Sequence, residues 1–261
     1  MRVSRFFVDP KTLDAAAGTA VIEDANQVKQ IFSVLRLRQG DAVDLLDGGG
    51  LLYHCVVSEA TFKGRMPKAL RLTISQIERA PGEPKVNLVV ALPVLRHARF
   101  EWALEKLTEI GIKTVVPLLV ERSVIDYDVS GADELRSFKR EERWRSIVKE
   151  AAEQCERPLI PNVVKPTSLK EFIGRSPFAS AGLRLIACER SQSPALKEAL
   201  CNLGDQRHIC ILIGAEGGFT EQEISLSFAH GFQPVSLGKR ILRAETAALY
   251  AASIVMALLD E

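Results

Sequence analysis

The residues best suited to chemistry lie in two short stretches near the end of the chain. The first is Gly214-Ala215-Glu216-Gly217-Gly218-Phe219, and the second is Gly238-Lys239-Arg240-Ile241-Leu242-Arg243-Ala244-Glu245-Thr246. Three glycines in five residues allow a sharp turn and let backbone lie close to a ligand. A carboxylate among the N–H groups of such a turn suits a ligand with hydroxyls or a positive centre. The spacing is not G-x-G-x-x-G, and Glu216 would repel a pyrophosphate, which argues against a dinucleotide loop. No G-K-[ST] follows, which argues against a Walker loop. Taken alone, the stretch reads equally well as an ordinary strand-to-helix turn with an exposed glutamate. The second stretch shifts that balance, because Lys239, Arg240 and Arg243 place three positive charges within five residues beside Glu245 and Thr246. Together they suit a small ligand and a polyanion meeting at one mouth.

The surrounding elements must position these stretches. Ile209–Ile213 reads as a strand, Thr220 with Glu223 as a capping box opening a helix, and Pro234–Leu237 as a short strand. Both stretches then leave strand C-termini, where open α/β sheets bind ligands. Ala247–Leu259 carries no charge over thirteen residues. That is shorter than the roughly 20 apolar residues a bilayer crossing needs, so a helix buried on every side is expected. Upstream, strands at Val86–Leu92, Val115–Val120 and Leu183–Cys188 alternate with helices at Ala98–Ile110, Glu134–Gln154 and from Ser193-Pro194 onward. This alternation predicts an α/β domain with a mainly parallel sheet.

Residues 1–79 have a different texture. Short β-prone runs at Arg5–Val8, Thr19–Ile22, Ala42–Leu46, Leu51–Val57 and Leu70–Ile77, with turn signals between them and one helix at Asn26–Val34, suggest a small β-barrel. Ala80-Pro81-Gly82-Glu83-Pro84 reads as a linker. The expected domains are therefore 1–79 and 84–261, with the ligand site at about 185–261. A net charge of +1 leaves polyanion binding to local patches. The barrel offers Arg36 and Arg38 among its cations. Five scattered cysteines without a C-x-x-C pair suit free thiols in a reducing cytoplasm. The four histidines lack metal-ligand spacing, so no metal is expected. The N-terminus has no signal-peptide core, so a soluble cytoplasmic protein away from membranes is expected.

Both C-terminal stretches resemble the RsmE family of SPOUT-class methyltransferases, with Ala215 where that family usually has proline. Glu105-Lys106-Leu107-Thr108-Glu109-Ile110-Gly111, Glu121-Arg122-Ser123 and the run from Arg143-Trp144 through Ala151-Ala152-Glu153-Gln154-Cys155-Glu156-Arg157-Pro158 are similar to further family motifs in the same order. Near the N-terminus, Arg5-Phe6-Phe7 and Val34-Leu35-Arg36 with Gly40-Asp41 resemble its PUA-like RNA-binding barrel, although Gln30 stands where a histidine is often found.

The resemblance implies transfer of a methyl group from S-adenosylmethionine to N3 of a uridine in small-subunit (16S) ribosomal RNA, by a parallel-sheet domain with a trefoil knot. It implies a donor site from three loops: Ala187, Cys188 and Glu189; Ile213, Gly214, Glu216, Gly217 and Gly218; and Leu237, Gly238, Ile241 and Leu242. The adenine would lie near Leu237, Ile241 and Leu242. Because N3 must lose a proton, Arg243 is expected to stabilise the anion, with Arg5 as second candidate and Glu245 as a candidate base. Arg36, Arg38, Arg122, Arg157, Lys239 and Arg240 are candidate contacts to RNA of the 30S subunit. The apolar last helix suggests a homodimer. The alternatives are a non-catalytic RNA-binding protein with a vestigial donor pocket and a ribose 2′-O-methyltransferase of the same fold. The latter's N-x-G-x-x-x-R element is not found.

Overall fold

A computed structural model describes residues 3–63, 66–123, 134–175, 182–188, 193–201 and 207–260. The chain forms two compact units, Met1–Glu83 with Ala152–Leu159, and Pro84–Ala151 with Ile160–Glu261.

The first unit holds β1 (Arg5–Phe7), β2 (Leu13–Asp14), β3 (Thr19–Ile22), α1 (Ala25–Lys29), β4 (Ala42–Leu46), β5 (Leu51–Lys63) and β6 (Met66–Arg79). The single helix expected over Asn26–Val34 is split: after Lys29 it widens into a π-type turn at Gln30–Val34. The strands form one sheet in the order β1-β4-β5-β6-β3-β2, antiparallel except where β1 joins β4. The runs read as Leu51–Val57 and Leu70–Ile77 are the inner parts of a long bulged hairpin. Phe6, Ile31, Leu45, Leu70 and Leu72 fill the core of this unit.

The second unit holds β7 (Asn87–Pro93), α2 (His97–Ile110), β8 (Thr114–Leu119), α3 (Glu134–Gln154, counted with the first unit from Ala152), β9 (Asn162–Val163), β10 (Thr167–Ser168), α4 (Leu169–Arg175), β11 (Leu183–Ala187), α5 (Leu196–Cys201), β12 (His208–Leu212), α6 (Glu221–Ala229), β13 (Gln233–Val235) and α7 (Ala244–Leu259). Its sheet runs β10-β8-β7-β12-β11-β13, with β9 also on β8, and every pairing is parallel. Successive side chains of a strand face opposite sides. In β7, Leu88, Val90 and Leu92 enter one core cluster, which α2 and α7 cover, while Val89 and Ala91 enter the other, beneath α4. Burial on both faces explains the unbroken apolar runs. Gly111 closes α2 in the left-handed conformation (φ 106°), where an added Cβ would meet Pro84 Cγ at 2.6 Å.

Two expectations are overturned by the packing. α5 begins at Leu196, not at Ser193-Pro194, because Ala195 forms a parallel bridge with Ser236 and Leu196 N–H donates to the Ser236 carbonyl at 3.1 Å. α7 is not enclosed on every side: Tyr250 is 44% and Leu258 40% exposed. Trp144 is buried against Phe100 at a centroid distance of 4.6 Å, while Trp102 stays exposed. Among the described residues, no helix is long and apolar enough to cross a membrane.

Candidate active site

Beyond the C-terminal ends of β11, β12 and β13 lies a pocket of about 510 Å³. Ala187 and Cys188 enter it from the end of β11, the chain from Ile213 to Phe219 from β12, and Leu237, Gly238, Arg240 and Leu242 from the segment after β13. Ala244 and Ala247 close it from the first turns of α7. The sheet order places β11 between β12 and β13, so the three loops converge although 20 residues lie between each of these strands and the next in sequence. Glu189 lies outside the described residues. Ile241, expected in the adenine slot, does not line the pocket; its side chain is 71% exposed, because the loop turns it outward while Leu242 turns in.

The glycine-rich loop is held from several directions. Ile213 N–H donates to the Ala91 carbonyl at 2.8 Å, extending the sheet up to the first glycine, and Gly218 N–H donates to the Ala215 carbonyl at 2.8 Å, closing the turn. Gly214 is tightly enclosed, since a Cβ would stand 3.2 Å from the Phe219 ring and 3.3 Å from Gly218 Cα. Arg122 Nη1 donates to the Gly217 carbonyl at 2.7 Å and to the Phe219 carbonyl at 3.4 Å. Thr220 and Glu223 form the expected capping box on α6. Glu223 Oε1 also accepts from Glu121 N–H at 3.1 Å, tying the segment after β8 to the same helix.

One residue at the site escaped the sequence reading. Arg99, in the first turn of α2, donates to the Glu216 carboxylate, and its Nε lies 3.8 Å from Glu245 Oε1. A single guanidinium thus balances the carboxylates of both loops. Its placement just past the end of a central strand was the only sequence signal for it. Glu245 is buried, and among the described residues its Oε2 has no hydrogen-bond partner. Arg243, the N-cap of α7, is exposed, and among the described residues it joins no ion pair. The same holds for Lys239 and Arg240. Burial pushes the Cys188 thiol pKa up, keeping it protonated and unreactive at the pocket wall.

A smaller pocket of about 210 Å³ adjoins the first, sharing Ala215 and Glu216 with it. Val94, Arg96, Arg99 and Ser123 face it from the ends of β7 and β8 and the start of α2.

The remaining predicted residues lie in the first unit. Arg5 is held by Asp44 at 3.6 Å and by Glu156 at 3.5 Å. Arg157 is only 5% exposed and makes a two-pronged bond to Glu83 at 2.9 and 2.8 Å. Arg36 is exposed with a left-handed backbone (φ 59°). Arg38 lies 4.3 Å above the Phe32 ring.

Comparison with known proteins places the chain among RNA methyltransferases. A family model described as an RNA methyltransferase domain matches residues 82–256, and one described as an RNA methyltransferase PUA domain matches residues 19–64. The Synechocystis ribosomal RNA small subunit methyltransferase E is 37% identical over 90% of this chain and 72% of its own length. The Bacillus subtilis protein of that name is 28% identical over 97% and 96%. A Legionella pneumophila methyltransferase structure with bound SAM is 26% identical, with a TM-score of 0.83 over 99% of this chain and 98% of its own. The Neisseria gonorrhoeae ribosomal RNA small subunit methyltransferase E, bound to S-adenosyl methionine, is 28% identical, with a TM-score of 0.78 over 98% of each chain. The chain belongs to the ribosomal RNA small subunit methyltransferase E family.

Proposed function

We propose that the protein transfers the methyl group of S-adenosylmethionine to N3 of a uridine in the 16S RNA of the 30S subunit. The observation that carries this reading is the three-loop pocket, in a family with members whose structures hold that donor. The pocket's groups fit the donor. Leu237 and Leu242 offer an apolar slot for an adenine, and the glycine loop offers backbone N–H and carbonyl groups at close range. The bound sulfonium supplies an activated methyl group. The chain's own residues must then orient the base and handle its proton. Glu245, whose buried Oε2 has no hydrogen-bond partner among the described residues, is the group that takes the N3 proton in this reading. Arg243, exposed between the pocket-lining Leu242 and Ala244 and in no ion pair among the described residues, offsets the charge left on the pyrimidine. Arg5 is the weaker candidate for that task, because Asp44 and Glu156 already neutralise it.

Lys239, Arg240, Arg36 and Arg38 are proposed to follow the RNA backbone. Arg157 leaves that set, since a guanidinium enclosed by Glu83 has nothing to offer a phosphate. Arg122, engaged by the loop carbonyls, acts as a positioning residue. The exposed side of α7 with Tyr250 and Leu258, together with Ile241, is the proposed surface of a homodimer. The resemblance further implies a closed PUA-like barrel, a trefoil knot in the segment 185–261 and a place in the cytoplasm beside the ribosome.

Arg243→Ala tests the assignment. With 30S subunits as substrate and mass analysis of the nucleosides, the maximal rate is expected to fall about 100-fold, the scale of losing one charge-stabilising donor, with donor affinity unchanged. A variant that keeps the wild-type maximal rate contradicts the role. Donor binding without any RNA methylation by the wild type would instead favour a non-catalytic protein.

A further inference from the structure

We infer that the smaller pocket beside the donor site receives the target pyrimidine ring, and that Arg99 is the side chain that recognises and polarises it; this rests on the methyl-transfer reading above. Position comes first. The pocket opens at the ends of β7 and β8 and shares the Ala215-Glu216 wall with the donor pocket. The two pockets adjoin along Ala215-Glu216, so a nucleophile in one can meet a methyl carbon in the other at that shared edge, as a direct displacement requires. Size agrees, because about 210 Å³ suits one ring, whereas the neighbouring pocket of about 510 Å³ suits a whole nucleoside with its side chain. N3 lies on the edge a pyrimidine uses for base pairing, so the enzyme must take the base out of the stack into such a recess.

The chemistry of the walls selects the base. Uracil presents O2 and O4 as acceptors on either side of the N3–H donor. Arg99 supplies only donors and Glu216 only acceptors, while Glu245 stands behind Arg99, 3.8 Å from its Nε and outside the lining. Cytosine would turn its amino group where uracil has O4, towards a guanidinium that cannot accept a hydrogen bond. Its N3 also carries no proton to give. Arg99 is fixed for this task by the two carboxylates that hold it, and two such contacts leave N–H groups of its five to spare. Val94 and Ala215 provide apolar contact for the ring. The step balances as follows. The N3–H proton passes to the Glu245 carboxylate. The N3 electron pair forms the bond to the methyl carbon, and the carbon–sulfur pair returns to sulfur, giving a neutral thioether. Arg99 stays protonated throughout and faces one carbonyl oxygen of the anion, leaving the other to Arg243.

The test pairs Arg99→Gln with a substrate of altered acidity. 30S subunits are assembled with either uridine or 5-fluorouridine, whose electron-withdrawing fluorine makes N3 more acidic. On uridine at saturating donor, the variant is expected to lose about 100-fold in maximal rate and no more than about tenfold in S-adenosylmethionine affinity, since Arg99 also grips Glu216 of the donor loop. Fluorination should restore about tenfold of that loss and leave the wild type within about threefold. Equal response of the two proteins to fluorination overturns the role of Arg99, as does a loss of donor affinity that accounts for the slower rate. Ser123→Leu provides an independent arm by filling the small pocket: methyl transfer should vanish with donor binding intact, and an undiminished rate would empty the pocket of its proposed occupant. Failure of the wild type to produce N3-methyluridine would count against the methyl-transfer reading itself, a result distinct from either variant's.

Discussion

The two loops that face each other across the donor pocket are built in opposite ways. The chain from Ile213 to Phe219 is gripped throughout: the sheet holds its start, Arg122 its carbonyls, Arg99 its carboxylate and Phe219 its end. Among the described residues, the segment from Gly238 to Arg243 is held by Gly238 N–H donating to Ser236 Oγ at 3.2 Å, by the Arg243 carbonyl accepting from Ala247 N–H at 2.8 Å and by Leu242 on the core, and it shows Lys239, Arg240, Ile241 and Arg243 to solvent. The difference separates two tasks. A fixed loop offers a small donor fixed partners at no reorganisation cost. A solvent-facing cationic segment can follow an RNA whose contacts are long-ranged and salt-sensitive.

If this division holds, substitutions in the two loops should fail in different assays. The largest effect belongs to Gly214→Val, whose branched side chain must collide with Phe219 and the Gly218 backbone. Donor affinity should fall about 100-fold or more, equivalent to roughly 2.7 kcal/mol, and a variant with ordinary donor affinity would break the comparison. Arg122→Ala removes a charged clamp from the same loop but at an exposed position, so the expected loss of donor affinity is about tenfold. Lys239→Ala in the open segment should leave donor binding untouched. It should weaken RNA binding and lower the slope of log affinity against log salt by about one; an unchanged slope would show that Lys239 does not reach a phosphate.

The smallest effect lies outside the pocket, in the first unit. Burial alone would lower the His54 pKa, but hydrogen bonds to Asp44 and Glu78 outweigh it and raise the value. A raised folded value favours the protonated ring in the native state. Its stabilisation is therefore fully present below the ordinary histidine pKa and fades as pH rises through the higher folded one. The partners are partly exposed, so the effect is small. His54→Gln should lower the melting temperature by about 2 °C at pH 6 and by less at pH 9. An equal loss at both pH values would mean that the charge contributes nothing.

The legible parts of this molecule were those whose signal is local. Alternation and apolar runs located β7, β8, β11 and β12 to within a residue at either end, because a strand buried on both faces leaves no polar interruption. The capping box at Thr220 and the stop at Gly111 were readable from residue types alone. The two-residue strands β9 and β10 carry too few side chains to show a period and went unread. Arg99 was hidden for a different reason. On its own helix it is one more surface cation, and its meaning comes from Glu216 and Glu245, which only the tertiary fold brings to it. Ile241 failed in the converse way, since a backbone turn and not its apolar character decides which way it points.

The central claim is that the three loops form a pocket for a methyl-bearing sulfonium, and equilibrium dialysis of the purified protein against labelled S-adenosylmethionine tests it most directly. One equivalent bound per chain is predicted for the wild type, with loss of binding in Gly214→Val. Absence of saturable binding by the wild type, or equal binding by both proteins, would contradict it.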